Sequence, residues 1–201
     1  TTLMAEATGA GMPAGFPIDS WADLLADAAT EKGTIALLSA PGYLEDQQIT
    51  AYLAKYLRAR HCSVHLAKPE QILWRQGRAH LEGNWHRGPL DAIVRFYQAE
   101  WLARLPERCG RDFYFFGGQT PIGNSGVALL SESKRFPLVW SRLETPMRVW
   151  QSLLPETLDP KDAPWEANDG WLVKAAFCNT GDAVHAQPWM SAQEWNAIAS
   201  A

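Results

Sequence analysis

The sequence predicts an α/β fold built on a Rossmann-like parallel sheet. Three stretches carry that expectation: the compact apolar run Thr34–Leu38, a helix-periodic segment spanning residues 45–60, and a second apolar run, Ser63–Ala67. Strand, helix and strand in that order make a β-α-β unit, for which parallel pairing through a right-handed crossover is the default. Leu90–Phe96, Leu-Asp-Ala-Ile-Val-Arg-Phe, supplies a third strand of the same sheet.

Each element follows from local chemistry. Residues 1–18 are rich in Gly, Ala, Pro and Met and read as loop; Gly9, Gly11 and Gly15 lack the spacing and the preceding strand of a dinucleotide-binding turn. Ser20, with Asp23 three residues on, is expected to cap a helix that stops before Gly33. In the next helix Ile49, Tyr52, Leu53, Tyr56 and Leu57 recur at helical spacing. Ile72–Trp85 alternates apolar and polar residues among turn formers, which suits a small hairpin or an irregular excursion. Gln98–Leu105 is expected to be a helix and Phe113–Phe116 a short strand. Pro137 and Pro146 divide the later helical signal into two or three short helices. The Pro-, Asp- and Glu-rich stretch 154–169 reads as a linker, and Ser191-Ala-Gln-Glu194 as the capping box of a final helix.

Composition narrows the function classes. At 201 residues the chain fits one domain, or one domain with an appendage, and can bury a substantial core. A net charge of −4 argues against a nucleic-acid surface as the main function. No window has the length of a membrane span, and no basic-then-apolar signal segment is present. The three cysteines, Cys62, Cys109 and Cys178, are odd in number and widely spaced, which suits reduced thiols and a cytoplasmic location better than a disulfide framework.

The stretch Gly170–Val184 carries the most chemistry. Trp171, Leu172 and Val173 read as a short buried strand, Lys174 breaks the apolar run, and a small-residue loop with Gly181 follows. A buried ammonium needs an anion to meet, and a glycine loop lets backbone N–H groups approach phosphate oxygens. The same residue types also make an ordinary strand-end lysine with a hairpin turn.

An ordered series of motifs then brings in a resemblance. Arg95-Phe-Tyr-Gln-Ala-Glu-Trp101, Pro121-Ile-Gly-Asn124, Ser133-Lys-Arg-Phe-Pro-Leu-Val-Trp140, Leu154-Pro-Glu-Thr157, Trp171-Leu-Val-Lys174 and Gly181-Asp-Ala-Val184 follow one another. The series resembles the glutathionylspermidine synthase-like family, amide ligases with a circularly permuted ATP-grasp arrangement, over residues 30–185. The resemblance implies a pre-ATP-grasp (Rossmann-like) α/β domain over 30–153 after an N-terminal loop and helix (1–29). After the linker it implies a partial ATP-grasp element over 170–201. It also implies a reaction in which ATP phosphorylates a carboxylate and an amine displaces the phosphate, with ATP and Mg²⁺ as cofactors and small-molecule carboxylate and amine substrates. By the same resemblance Lys134, Lys174 and Gly181 face the nucleotide, and Arg95, Glu100 and Asn124 fall on the substrate-facing domain. The metal part departs from the family: where members carry Glu and Asn ahead of the first strand, only Glu6 is available here. The residues after Lys174 are too few for the rest of an ATP-grasp lobe, so the expectation is either a fragment or a module that has lost its catalytic half.

Other assignments compete for the same residues. Arg95 can pair with Glu100 as a structural salt bridge, Lys134 can lie on a solvated helix face, and Asn124 can cap a helix. His61 and His65 would sit about 13 Å apart on a strand and cannot share one ion without a bend. Glu45 and Asp46 are adjacent at a helix start and suit its positive end better than acid–base work. Cys178 has no histidine within its motif and reads as a small loop or core residue. Three classes result: an ATP-dependent carboxylate–amine ligase, a non-catalytic substrate- or partner-binding module, and a different Rossmann-like nucleotide binder. The last needs a glycine-rich loop after Leu38, where Ala40-Pro-Gly-Tyr has one glycine.

Overall fold

Four strands, β1 (Thr34–Leu38), β2 (Ser63–Ala67), β6 (Ala92–Arg95) and β7 (Ile122–Gly123), make a parallel sheet in the order β2-β1-β6-β7. This is the mixed α/β architecture expected from the sequence. The computed structural model describes residues 17–30, 32–165, 170–178, 181 and 183–199. The register sets Ile35 beside Val64 and Ala92, and Leu37 beside Leu66 and Val94.

Ile35, Leu37, Val64, Ala92 and Val94 form one core with Ala22 and Leu25 of α1 (Pro17–Ala28) and Leu53, Ala54 and Leu57 of α2 (Leu44–Ala59). Each Ile or Leu buried this way stabilises the fold by about 1.5–3 kcal/mol. Leu38 and Ile93, on the opposite face by strand alternation, are fully buried as well. Burial on both faces is the usual state of a parallel sheet. Arg60, just past α2, holds the two helices together: its Nε meets Asp23 Oδ1 at 2.6 Å and its Nη2 meets Asp19 Oδ1 at 3.2 Å.

Two helix details differ from the sequence expectation. α1 includes Ser20 rather than starting after it, and Pro17 stands at its first described position, where a proline loses no intrahelical bond. The buried face of α2 is Thr50, Leu53, Ala54 and Leu57, while Ile49 and Tyr52 are exposed. Thr50 can face inward because its hydroxyl bonds to the carbonyls of Asp46 (2.9 Å) and Gln47 (3.0 Å), so burial leaves no orphaned polar group.

Between β2 and β6 the chain forms an antiparallel ribbon, β3 (Ile72–Arg75), β4 (Arg78–Glu82) and β5 (Arg87–Pro89). The expected hairpin is its first part; β5 had no alternating signal. The buried Thr120 hydroxyl fastens the ribbon beside the sheet, accepting from the Ala79 N–H at 3.0 Å and donating to the Leu90 carbonyl at 3.1 Å.

After β6, α3 is only Ala99–Leu102. The strand expected at Phe113–Phe116 is instead part of a helix, α4 (Arg111–Phe116). Gly110, at φ +59°, turns the chain into it. Phe113 stacks on Trp74 at 4.6 Å, Tyr114 is fully buried and Phe116 is 87% exposed. The aromatic run therefore points its rings around a helix instead of alternating across a sheet.

The chain divides into two compact units, Thr1–Val127 and Ala128–Ala201. The stretch 154–169 falls within the second unit, where Asp159 accepts from Arg135 at 2.8 Å. That unit also holds α5 (Leu129–Glu132), a 3-10 stretch (Phe136–Arg142), α6 (Arg148–Leu153), a two-stranded ribbon of β8 (Leu172–Lys174) and β9 (Val184–Ala186), and α7 (Ala192–Ala199). The capping box of α7 forms as the sequence indicates: Glu194 N–H donates to Ser191 Oγ at 3.3 Å, and Ser191 N–H donates to Glu194 Oε2 at 3.0 Å. No helix among the described residues is long and apolar enough to cross a membrane.

Candidate functional site

In an open parallel sheet, ligands bind beyond the carboxyl ends of the strands where the strand order reverses. Here β1 leads outward to β2 on one side and has β6 on the other, so that point lies between the segments following β1 and β6. The first begins at Ser39 and reaches Tyr43; the second contains Phe96, Tyr97 and Gln98. Trp101 stands between two tyrosines, its ring 5.3 Å from Tyr43 and 5.5 Å from Tyr97. Phe96 N–H donates to the Leu38 carbonyl at 2.7 Å and fixes the two segments against each other.

Arg95 and Asn124, both expected on the substrate side, come together at this edge. Arg95 is 2% exposed. Its Nε donates to the Asn124 carbonyl at 2.7 Å, its Nη2 to Asn124 Oδ1 at 3.3 Å and the Ser125 carbonyl at 3.2 Å, and its Nη1 to the Tyr97 carbonyl. Asn124 Nδ2 returns a bond to the Arg95 carbonyl at 2.9 Å. The guanidinium thus clasps the ends of β6 and β7, and Asn124, at φ +59°, is held by that clasp rather than serving as a helix cap. Among the described residues Arg95 and Glu100 form no ion pair; Glu100 lies half-buried in the first turn of α3.

The amino end of α2 opens toward the same loops, with Gln47 Nε2 donating to the Ala40 carbonyl at 3.2 Å. Its first turn already carries Glu45 and Asp46. Burial, and then the Glu45 charge, raise the Asp46 carboxyl above its ordinary value. Carboxylates here complement the helix dipole themselves, which disfavours a phosphate at that terminus.

In the second unit the strand expected ahead of Lys174 forms as β8, but it is not buried. Leu172 is 51% exposed, Val173 is half-buried and Lys174 is exposed on a three-residue strand. A ribbon with only one paired neighbour leaves its other edge and much of its surface to water. The demand for an anionic partner therefore falls away, because a solvated ammonium is not penalised. The ribbon nevertheless brings two expected nucleotide-side segments together: the backbone N–H of Lys134 donates to the Ala176 carbonyl at 2.8 Å, two residues beyond Lys174. Gly181 takes φ +83° in the connecting turn, with open space where a side chain would stand. Glu6 lies outside the described residues.

Comparison with known proteins leaves the family open. No family model matches the chain, and no curated protein matches it.

Sequence reasoning missed one further feature of the first unit. A cleft of about 340 Å³ runs beside β2 and the β3–β5 ribbon, lined among others by Arg58, His65, Gln71, Asn84, Trp85 and His86. The His65 and His86 rings stack, with centroids 4.4 Å apart and planes 26° apart. Burial first, then the charges of His86 and Arg58, hold the His65 imidazole below its ordinary value. His65 was legible only as half of a His61–His65 pair; its partner stands in a turn of the ribbon, and no local spacing connects the two. A second, smaller concavity, about 140 Å³, lies by Arg78, Asp91 and Thr120. An Arg78–Asp91 ion pair at 2.9 Å occupies its polar groups.

Proposed function

We propose that the chain is the acid-binding portion, with an attached nucleotide-side element, of a cytoplasmic ATP-dependent carboxylate–amine ligase of the glutathionylspermidine synthase type. The observation that carries the proposal is the Lys134–Ala176 backbone bond. Two motifs far apart in sequence, one holding Lys134 and the other Lys174, meet within one unit as a shared nucleotide-side role requires. The carboxyl edge of the parallel sheet, with Tyr43, Tyr97, Trp101 and Glu100 around it, supports substrate binding in the first unit.

In this reaction a carboxylate oxygen attacks the γ-phosphorus of ATP, ADP leaves, and the resulting acyl-phosphate is opened by the amine nitrogen with release of phosphate. Lys134 and Lys174 would offset charge on the phosphates, and backbone N–H groups around Gly181 would approach their oxygens. Arg95 and Asn124 act as positioning residues that hold the loops after β6 and β7. Among the described residues no group of three or more His, Cys, Asp or Glu side chains could hold Mg²⁺. The described donor set does not fit that ion.

A second reading, a binding module without catalysis, is favoured by the exposure of Lys174 on its short ribbon. Calorimetric titration of MgATP into the chain and into Lys174→Ala separates the two. The ligase reading expects saturable binding that the substitution weakens at least tenfold. Absence of binding to the folded wild-type chain overturns it and leaves the binding module.

A further inference from the structure

We propose that the cleft beside β2 is a binding site for a small oxyanion, the phosphate or carboxylate group of a metabolite, held by His65, His86 and Arg58. It lies wholly within the first unit, draws on neither Lys134 nor Lys174, and does not rest on the ligase reading.

Three nitrogen-rich side chains from three separate elements converge there: Arg58 from α2, His65 from β2 and His86 from the turn between β4 and β5. Among the described residues no carboxylate lines the cleft. The charges acting on His65 are those of His86 and Arg58, both of its own sign when protonated. Among the described residues this cluster has no internal counter-charge. Two imidazole rings stacked at 4.4 Å repel when both carry charge, and an anion seated beside them offsets that repulsion.

The hydrogen-bonding capacity is also unfilled. His86 Nε2 is buried with no hydrogen-bond partner among the described atoms. His65 Nε2 is within 3.1 Å of Ser63 Oγ, which leaves Nδ1 as a second donor once the ring is an imidazolium. Arg58 Nη2 donates to the Val64 carbonyl at 2.9 Å; this anchors the guanidinium at the cleft and leaves further N–H groups on its fork. Asn84 and Gln71 add amide donors at the rim, and the 96% exposed Trp85 ring offers an apolar face to the body of a ligand. A volume of about 340 Å³ accommodates such a group with a small organic remainder.

Binding is therefore coupled to proton uptake. An anion within hydrogen-bond reach raises an imidazole's pKa by about 1 unit or more, and affinity rises by about tenfold for each unit as pH falls through the titration.

The test is an NMR pH titration of all five histidine side chains in chloride, in acetate and in inorganic phosphate at matched ionic strength. His61, His80 and His185 serve as internal references. The expected result is a selective rise of about 1 pH unit for His65 and His86 in one of the oxyanions, lost in Arg58→Gln and retained in Lys174→Ala. A rise in phosphate alone assigns a phosphoryl group; an equal rise in acetate assigns a carboxylate. No selective shift in either, or the same shift at all five histidines, overturns the proposal on the wild-type chain, whatever the stability of the variants.

Discussion

Arg95→Met is the sharpest test of the clasp between β6 and β7. Methionine keeps much of the stem's apolar volume and donates nothing. The carbonyls of Tyr97, Asn124 and Ser125, together with Asn124 Oδ1, then lose their donor. Arg95 is 2% exposed, so water reaches these acceptors only from the side of the exposed Asn124. Each half-buried carbonyl left without its donor costs up to about 1–3 kcal/mol. Tyr97 and Ser125 are half-buried while Asn124 is exposed and can regain water, giving an upper range of about 2–6 kcal/mol for the two. The expected loss is about 2–4 kcal/mol, a large share of the about 5–15 kcal/mol that holds a typical domain together. Arg95→Lys keeps the charge, but one ammonium cannot span Tyr97 and the Asn124–Ser125 segment together, so about half of that loss is expected. Asn124→Gly relieves the positive φ while deleting both side-chain bonds, for a loss of about 1–2 kcal/mol. The double variant should lose less than the sum, with a coupling of about 1 kcal/mol. Urea unfolding followed by tryptophan fluorescence measures all four. An Arg95→Met loss below about 0.5 kcal/mol, or strict additivity in the double variant, refutes the clasp.

Three further predictions use other parts of the structure. Gly110→Ala would set a Cβ 2.5 Å from Trp74 Cδ1 at φ +59°, whereas Gly42→Ala at φ +88° meets open space; thermal melts should show the first losing about 2–5 kcal/mol and the second only about 1 kcal/mol. With His65 held below its ordinary value, the unfolded chain binds that proton at higher pH than the fold. Stability should therefore be full above about pH 6.5 and decline as pH falls toward the depressed value; His65→Gln should flatten this in urea titrations, and an unchanged decline counts against the assignment. Ser191→Ala should fray the first turn of α7, read as faster amide exchange at Glu194. The Ser191 side-chain bond, then its backbone bond, lower the Glu194 carboxyl, so the capping contribution is present above the ordinary carboxylate value and lost as pH falls through the lowered one.

What the sequence made legible follows the physics of each element. β1 and β2 were found to the residue because a buried parallel strand is a short unbroken apolar run. The α7 cap was found because its reciprocal bonds need only residues three apart. The aromatic run Phe113–Phe116 misled because strand propensity describes a half-buried pleated surface, while here Gly110 and the Trp74 ring decide the conformation. The face of α2 was misjudged because Thr50 satisfies its hydroxyl locally, which hydrophobic periodicity does not register. At the candidate site, the sequence put Arg95 and Asn124 on one expected domain, but their mutual bonds come from the parallel pairing of β6 with β7, which no local motif records. Lys174 was expected to be buried because Trp171, Leu172 and Val173 are apolar; a ribbon paired on one side alone does not bury them. The His65–His86 stack depends on how the ribbon folds back, which no spacing in the chain records.

The Thr120 hydroxyl, joined to Ala79 on one side and Leu90 on the other, has a mechanical consequence for that ribbon. Both bonds are buried, so swinging β4 away from the sheet would expose an amide and a carbonyl with nothing to replace their shared partner. The ribbon is thereby bolted near its root, while among the described residues its far turn, bearing Asn84, Trp85 and His86, is held to the sheet by the His86–His65 ring stack rather than by a buried hydrogen bond. Motion should concentrate at that tip, like a cantilever fixed at one end. Bending at that tip would change the gap between His86 and His65, which the ring stack sets at 4.4 Å.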